Sequence, residues 1–407
     1  LLLQPDRAEY GALLRWTARR RDYQCRCLRP KPFGEALQEG LQGSLGAVGV
    51  SQLELERAEG VPGRRLVGLL HGQVAELIGG LDQALWSARK HLKASNIEFA
   101  PGLNEDLAAT AVWGSQQVNL FPGAKYDGVF GMWYGKGPGV DRTGDVFKHG
   151  NAAGTSKFGG VLALAADDHA CRSSTLPHGS ELEFVSAMMP VLNPAGVQDI
   201  LDMGLLGWAM SRYTGRWVGF KTIAETVESS ASVDVDPHQL DIVIPSDFVL
   251  PAGGLNIRWP DPPMNQELRL HQYALQAAVA FAKANGIDRV VFDSPKARLG
   301  IITTGKSYLD VLQALEYLGL DREACRDIGI RVYKVGMTWP IEPEGLRAFA
   351  HGLEDIIVVE EKRSFIESQM KEAMYNWADL KGHDHTRPSI VGKYDEEENW
   401  ILPSTNE

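Results

Sequence analysis

The run VFGMWYGKGPGVDR, residues 129–142, joins an apolar segment of strand length to a glycine-rich turn. Residues 129–133 are short and apolar, which is typical of a strand that is buried on both faces. Four glycines follow between positions 135 and 144, and glycine permits a positive φ and a close approach of the backbone to a ligand. The segment matches neither GxGxxG nor a phosphate loop, so a structural loop of tight turns is the alternative interpretation.

On either side of this run, apolar segments of strand length alternate with helical patterns. Strands are predicted at residues 160–166 and 217–222, with helices at 104–117 and 197–213. Such alternation predicts a parallel sheet covered by helices on both faces. The first compact domain is therefore expected at residues 79–235. Residues 1–78 differ in composition and are predicted to be an atypical, poorly ordered N-terminal segment.

A second alternation follows an Asp- and Pro-rich connection. Residues 236–263 are predicted to be a linker with one strand at 240–244. Beyond it, strands are predicted at residues 289–292, 299–303, 330–335 and 356–359. These indicate a second domain at 264–380, followed by a polar tail at 381–407. The predicted fold class is α/β, with two consecutive three-layer domains built on parallel sheets.

Composition excludes several classes of protein. The 407 residues carry a formal net charge of −11, whereas binding to nucleic acid or to an anionic membrane requires a basic face. No apolar run reaches the ~18 residues needed to cross a bilayer. Four cysteines are too few for a disulfide scaffold and indicate a reducing compartment. A cytoplasmic protein without nucleic-acid or membrane partners is expected.

Glu105 stands at the predicted start of a helix. Asn104 is a favourable N-cap, and acids in the first turn suit the helix dipole. The ordinary interpretation of Glu105 is therefore structural. However, the helix face after it carries Ala108, Ala109 and Val112, and a carboxyl on such a face is either at an edge or deliberately buried. A buried carboxyl has a raised pKa and can share a proton with a ring nitrogen.

Two polar clusters flank the strand predicted at 160–166. Lys148-His149-Gly150-Asn151 precedes it, and Asp167-Asp168-His169 follows it. The carboxyl end of a parallel strand is where α/β sheets bind ligands, so Asp168 and His169 could orient a polar substrate. They could equally cap the next helix. No metal site is predicted, because the spacing of these residues matches no familiar ligand set.

The segment GIITTGKS, residues 300–307, matches the phosphate-loop expression GxxxxGK[ST]. Its four middle residues are all β-branched and prefer an extended backbone, whereas a phosphate loop must wrap its N–H groups around the ligand. The strand is therefore expected to continue through Thr303, with Ser307 as an N-cap. A phosphate-loop NTPase using Lys306 and Ser307 remains a rival hypothesis.

Several long motifs resemble one enzyme family. They are residues 79–86, 104–117, 133–142, 148–151, 167–169, 226–232, 300–312, 334–340 and 359–363. Across residues 79–407 the chain resembles the long, fused bacterial indolepyruvate ferredoxin oxidoreductases, which are thiamine-diphosphate-dependent 2-oxoacid oxidoreductases. The resemblance implies a thiamine-diphosphate pyrimidine-binding fold followed by a transketolase C-terminal-like domain.

The resemblance also implies a reaction and a set of site residues. A 2-oxoacid, here indolepyruvate or another arylpyruvate, is oxidatively decarboxylated to an acyl-coenzyme A, and electrons pass through [4Fe-4S] clusters to ferredoxin. Glu105 matches the family's activating glutamate. The predicted cofactor-binding residues are Glu105, Gly137, Gly139, His149 and Asn151, and the predicted substrate-binding residues are Asp168 and His169.

Two departures from the family pattern shape the expected role. Residues 73–78 replace the family's Gly-Tyr-Arg-Gly-Ser-Pro loop, and no Gly-Asp-Gly followed by Asn is found for Mg²⁺ and the diphosphate. We therefore expect an N-terminal fragment that is incomplete alone. The Mg²⁺ site and the [4Fe-4S] clusters would belong to absent modules of the same enzyme, which is expected to be a homodimer. The rivals are a β-type subunit of a 2-oxoacid dehydrogenase and a non-catalytic truncated product.

Overall fold

The computed structural model describes residues 65–68, 79–236, 240–376 and 387–404. The N-terminal segment predicted at residues 1–78 lies outside the described residues except for the backbone of 65–68. Twelve strands are described: β1 Arg65–Gly68, β2 Phe130–Lys136, β3 Gly160–Asp167, β4 Val191–Leu192, β5 Trp217–Ile223, β6 Ala231–Asp234, β7 Arg289–Phe292, β8 Leu299–Thr304, β9 Ile330–Val335, β10 Met337–Trp339, β11 Asp355–Val359 and β12 Ser389–Val391.

The described helices alternate with these strands. They are α1 Gly79–Ser87, α2 Arg89–Ala94, α3 Glu105–Gln116, α4 Gly137–Ala153, α5 Glu181–Ser186, α6 Val197–Thr214, α7 Ala224–Val227, α8 Pro263–Arg269, α9 Leu275–Ala284, α10 Gly305–Tyr317, α11 Arg322–Ile328, α12 Pro343–Ala350 and α13 Ile366–Tyr375. A π-helical turn, Leu270–Ala274, joins α8 to α9.

The strands form two five-stranded sheets and a small two-stranded one. The first sheet has the order β10-β4-β5-β3-β2, and the second has the order β12-β11-β8-β9-β7. Within each, four strands are parallel, and β10 and β7 are the antiparallel members. The predicted fold class, two α/β domains with largely parallel sheets, is confirmed.

Burial on both faces explains the continuous apolar sequence of β3. Val161, Ala163 and Ala165 face one core with α3, α4 and α5. Leu162 and Leu164 face the other core with α6 and α9. Because successive side chains of a strand point to opposite faces, a strand covered on both sides needs apolar residues at every position. The second sheet shows the same alternation in β9, where Val332 and Tyr333 enter different cores.

The two sheets are joined by β10. This strand follows β9 of the second sheet directly, yet it pairs antiparallel with β4 of the first sheet, with Met337 opposite Leu192. Met337 is fully buried in the same core as Phe281 and Ile287. The second half of the chain therefore contributes both a strand and core side chains to the first sheet.

The strand expected at residues 240–244 does not form. This segment is irregular, and its backbone is held by a side chain: the Val243 N–H donates to Asn285 Oδ1 at 2.8 Å, and Asn285 Nδ2 donates to the Val243 carbonyl at 2.8 Å. Leu240 and Ile242 pack against the first core. The prediction was wrong because an apolar run can pack on a helix end without entering a sheet.

No helix among the described residues is long and apolar enough to cross a membrane.

We predict that Met337→Ala lowers the free energy of unfolding by about 2–5 kcal/mol, because it leaves a cavity in the shared core. Urea unfolding measures the change. Val290→Ala, at a position that is 41% exposed, is the control and should change stability by less than about 1 kcal/mol. Equal losses of unfolding free energy in the two variants would contradict the burial of Met337 in the core of the first sheet.

Candidate functional site

Three elements meet at Glu105. Asn104 caps α3, its side chain accepting from the Leu107 N–H at 3.0 Å, so Glu105 lies in the first helical turn. The Trp133 indole N–H, from β2, donates to the Glu105 carbonyl at 3.0 Å. A Cβ on Gly139, in the first turn of α4, would lie 2.6 Å from Glu105 Cγ. A side chain at position 139 would therefore force the Glu105 side chain out of its present place.

The Glu105 carboxylate faces solvent beside a guanidinium. Arg142 Nη1 lies 3.5 Å from Glu105 Oε2, and Arg142 Nε lies 3.4 Å from Asp106 Oδ1. The Glu105 side chain is 39% exposed. The site thus presents an accessible carboxylate paired with a guanidinium.

A histidine packs against the other side of the first turn of α4. A Cβ on Gly137 would overlap the His178 ring, so this glycine also serves a close approach. His178 Nε2 lies 2.8 Å from Asp141 Oδ2, and Nδ1 lies 3.5 Å from Asp167 Oδ1. Asp167, with smaller help from Asp141 and against the effect of burial, raises the pKa of His178 to about 9. A positively charged ring therefore bridges two carboxylates.

Sequence reasoning missed a buried lysine beneath this edge. Lys221 lies in β5, is 1% exposed and donates from Nζ to Glu181 Oε1. Burial opposes its charge, but Glu181 and Asp167 raise its pKa above the ordinary value. Burial likewise opposes the charge of Asp167, whose pKa His178 and Lys221 nevertheless lower. The available signal was a lysine in the middle of an apolar strand.

Asp168 and His169 lie at the carboxyl end of β3 and have different surroundings. Asp168 accepts from the backbone N–H groups of residues 172, 173 and 174, at 2.8, 2.7 and 2.9 Å. Its carboxylate thereby shapes the loop after β3. His169 is 2% exposed, and its Nε2 has no hydrogen-bond partner among the described residues. Burial, with Lys221, lowers the pKa of His169 to about 2, so the ring is neutral.

His149 and Asn151 lie at the opposite end of α4 from Gly139. The 12 helical steps from Gly139 to Asn151 span about 18 Å at 1.5 Å per residue. Asn151 is fully buried; its Nδ2 donates to the Ala187 and Met188 carbonyls, and its Oδ1 accepts from the Trp217 N–H. His149 is exposed and contacts the Asp145 carbonyl at 3.0 Å. The structure brings Gly139 to Glu105 and Gly137 to His178, but it brings neither His149 nor Asn151 to Glu105.

The phosphate-loop match has a different backbone from a nucleotide-binding loop. Residues 300–304 belong to β8, and α10 begins at Gly305 with φ +51°. The expected extension of the strand is thus confirmed and reaches Thr304. Ser307 is not the N-cap: Thr304 holds that position, and its hydroxyl donates to the Val335 carbonyl. Because the middle residues are extended, they cannot wrap a phosphate.

No group of three or more His, Cys, Asp or Glu side chains among the described residues is arranged to hold a metal ion. Cys171, in the loop after β3, and Cys325, in α11, are free thiols, while Cys25 and Cys27 lie outside the described residues.

Residues 288–403 match the indolepyruvate ferredoxin oxidoreductase middle domain. The resemblance to that family is confirmed. The chain is 27% identical over 261 residues to the indolepyruvate oxidoreductase subunit IorA of Pyrococcus abyssi, covering 64% of this chain and 38% of that protein. It is 26% identical over 288 residues to the same subunit of Methanothermobacter marburgensis, covering 69% and 42%. The chain thus spans about two fifths of the length of these curated relatives.

A solved structure shares the fold. It is the 2-oxoglutarate:ferredoxin oxidoreductase from Magnetococcus marinus, determined with 2-oxoglutarate, coenzyme A and succinyl-CoA bound. The TM-score is 0.54 at 14% sequence identity, over 78% of this chain and 57% of that one.

We predict that Asn151→Ala lowers the free energy of unfolding by about 2–4 kcal/mol, because it leaves buried backbone groups without partners. His149→Ala, two residues earlier on the same helix, should cost less than about 1 kcal/mol. Thermal or urea unfolding of both variants measures the difference. An unchanged free energy of unfolding in Asn151→Ala would contradict a stabilising role of its hydrogen bonds to the backbone.

We predict that the stabilisation provided by His178 depends on pH. Its folded pKa of about 9 exceeds the ordinary ~6.5, so this stabilisation is complete below about pH 6.5 and is lost as pH rises through about 9. The difference in unfolding free energy between wild type and His178→Gln should shrink by on the order of 2 kcal/mol between pH 6 and about pH 10. Urea unfolding across this range measures the difference, with exposed His91→Gln as the control. A difference that stays constant would contradict the charged bridge.

Proposed function

We propose that this chain supplies the pyrimidine-side half of the thiamine diphosphate site in an indolepyruvate-type ferredoxin oxidoreductase. The reaction is the oxidative decarboxylation of a 2-oxoacid, indolepyruvate or another arylpyruvate, to an acyl-coenzyme A with transfer of electrons to ferredoxin. The observation that supports the proposal is the position of the Glu105 carboxylate. This accessible carboxylate stands at a helix start, in contact with Gly139, on a chain similar to the family along most of its length.

A pyrimidine ring with hydrogen-bonding nitrogens would pair with the accessible Glu105 carboxylate. Glu105 would share a proton with a ring nitrogen, and Gly139 gives the space for this side chain to lie flat on α4. Arg142 would hold the carboxylate in place through its contact at 3.5 Å. When bound, thiamine diphosphate supplies the electron sink for decarboxylation.

The remaining roles follow from the same proposal. Asp168 and His169, at the carboxyl end of β3, would lie on the substrate side, Asp168 by shaping the loop and His169 by offering a neutral ring. The diphosphate, its Mg²⁺ and the [4Fe-4S] clusters would be held by other modules of the same enzyme. Coenzyme A and ferredoxin would be its further partners, and the assembled enzyme would be a homodimer in the cytoplasm.

A β-type subunit of a 2-oxoacid dehydrogenase is the second candidate, because it joins the same two kinds of domain. The electron acceptor discriminates between the candidates. Reduction of ferredoxin by an arylpyruvate and coenzyme A supports the oxidoreductase, while transfer of the acyl group to a lipoyl domain supports the dehydrogenase.

We predict that Glu105→Gln in the assembled enzyme lowers kcat for arylpyruvate-dependent ferredoxin reduction at least about a hundredfold, because glutamine cannot share the proton. Steady-state kinetics measure the loss, and thermal unfolding should stay within about 2 °C of wild type. Binding of thiamine diphosphate, followed by its circular dichroism, is measured in parallel.

Asp106→Asn is the matched control, because Asp106 is the second carboxylate beside the Arg142 guanidinium. It should retain most activity, which separates the loss of the Glu105 acid from the loss of an ion pair. Wild-type turnover by Glu105→Gln would refute the proposed role. A protein that binds no thiamine diphosphate in any assembly would instead favour the non-catalytic product.

A further inference from the structure

The carboxyl ends of parallel strands from both sheets open on one cleft. His169 follows β3 and Ile223 ends β5 on the first sheet, while Lys306 follows β8 and Glu360 follows β11 on the second. All four residues line the cleft, which has a volume of about 120 Å³. Ligands of α/β proteins bind at this end of their sheets, and here two such ends face each other.

Two helix starts border the cleft, and they differ in one respect. The start of α13 is satisfied from within the protein, because the Glu360 carboxylate accepts from the N–H groups of Phe365, Ile366 and Glu367 at 2.9, 2.7 and 3.1 Å. The start of α10 has no side-chain cap, since the Thr304 hydroxyl turns to the Val335 carbonyl. The unsatisfied N–H groups of a helix start favour an anion.

A second, independent feature points to a ligand in the same cleft. His169 lines it, is 2% exposed, and has an Nε2 without a hydrogen-bond partner among the described residues. A buried polar atom of this kind costs free energy unless a partner satisfies it. A neutral imidazole can donate one N–H to an anion without carrying charge itself.

Three acids that line the cleft lie near basic side chains. Glu225 accepts from Arg172 at 2.9 Å. Asp310 lies 2.8 Å from Lys306 Nζ, which leaves the ammonium with further N–H donors. Glu361 lies close enough to the buried ammonium of Lys221 to raise the pKa of that group. Lys393, the other ammonium that lines the cleft, donates to the Glu360 and Pro403 carbonyls. The donors considered for an anion are therefore the start of α10, the Lys306 ammonium and His169.

We propose that this cleft binds a small oxyanion at the start of α10, held by the N–H groups of Lys306 and Ser307, the Lys306 ammonium and His169. The cleft volume of about 120 Å³ is several times the ~10–15 Å³ that one water needs, so a carboxylate or a single phosphate has room. The inference rests on the proposed function only in that the carboxylate of a 2-oxoacid is one source of the oxyanion; a phosphate-bearing molecule is the other.

The test titrates the full 407-residue chain, without thiamine diphosphate, with sodium phosphate or sodium acetate at constant ionic strength set by sodium chloride. Calorimetry gives the affinity, and amide NMR shifts of Lys306 and Ser307 report the location. We expect saturable binding of at least one anion, with these two amides shifting most. Saturation by acetate indicates a carboxylate ligand, and saturation by phosphate alone indicates a phosphate-bearing one.

Matched variants give the second arm. Lys306→Ala should weaken binding about tenfold or more, while Lys283→Ala, which removes another half-exposed lysine from a carboxylate pair outside the cleft, should leave it unchanged. His169→Gln should retain binding and His169→Leu should weaken it. Failure of both anions to saturate, shifts spread over other surface amides, or equal loss in the two lysine variants would overturn the proposal. Because no thiamine chemistry enters the measurement, its failure is distinct from that of the role proposed for Glu105.

Discussion

A hydrogen bond between a buried indole and a backbone carbonyl anchors the candidate site. Trp133 donates to the Glu105 carbonyl and is itself fully buried. Its ring meets Phe147 edge-on, with centroids 5.0 Å apart, and Phe147 contacts Trp217 at 6.0 Å. Because a packed aromatic cluster resists displacement, the buried Trp133 ring fixes the backbone of Glu105 relative to the sheet. The carboxylate is accessible, but its backbone is not free to move.

The glycines of α4 extend this constraint to both sides of the helix. Gly139 admits Glu105, Gly137 admits His178, and Gly150 admits the Trp217 ring. Each contact is one that a Cβ would prevent. The helix therefore serves as a spacer between an accessible carboxylate on one side and a buried network of charges, Asp167 and Lys221, on the other. Polar groups on both sides of α4 thus account for the many polar residues of this partly buried helix.

The local pattern predicted most of the strands, because a sheet covered on both faces demands uninterrupted apolar runs. It also predicted the helix start at Asn104, where capping chemistry is local. It could not show that the Asn151 amide is buried against the backbone, since an amide that binds backbone has the same sequence signature as one that binds a cofactor. The pairing of Met337 with Leu192 could not be predicted either, because the sequence of a short strand does not indicate which distant strand it pairs with. The charges of His178 and Lys221 depend on carboxylates that are distant in sequence and become neighbours only in the folded chain.

The position of β10 has a consequence for dividing the chain. The boundary suggested by the linker composition would separate β4 from the strand that pairs with it, although β10 lies far beyond that boundary in sequence. A protein expressed up to that boundary would present an unpaired edge and an uncovered core to solvent, a combination that promotes strand-to-strand association. The shortest segment of the chain that contains all five strands of the first sheet therefore extends to Trp339. Recombination between relatives would have to exchange the two sheets together.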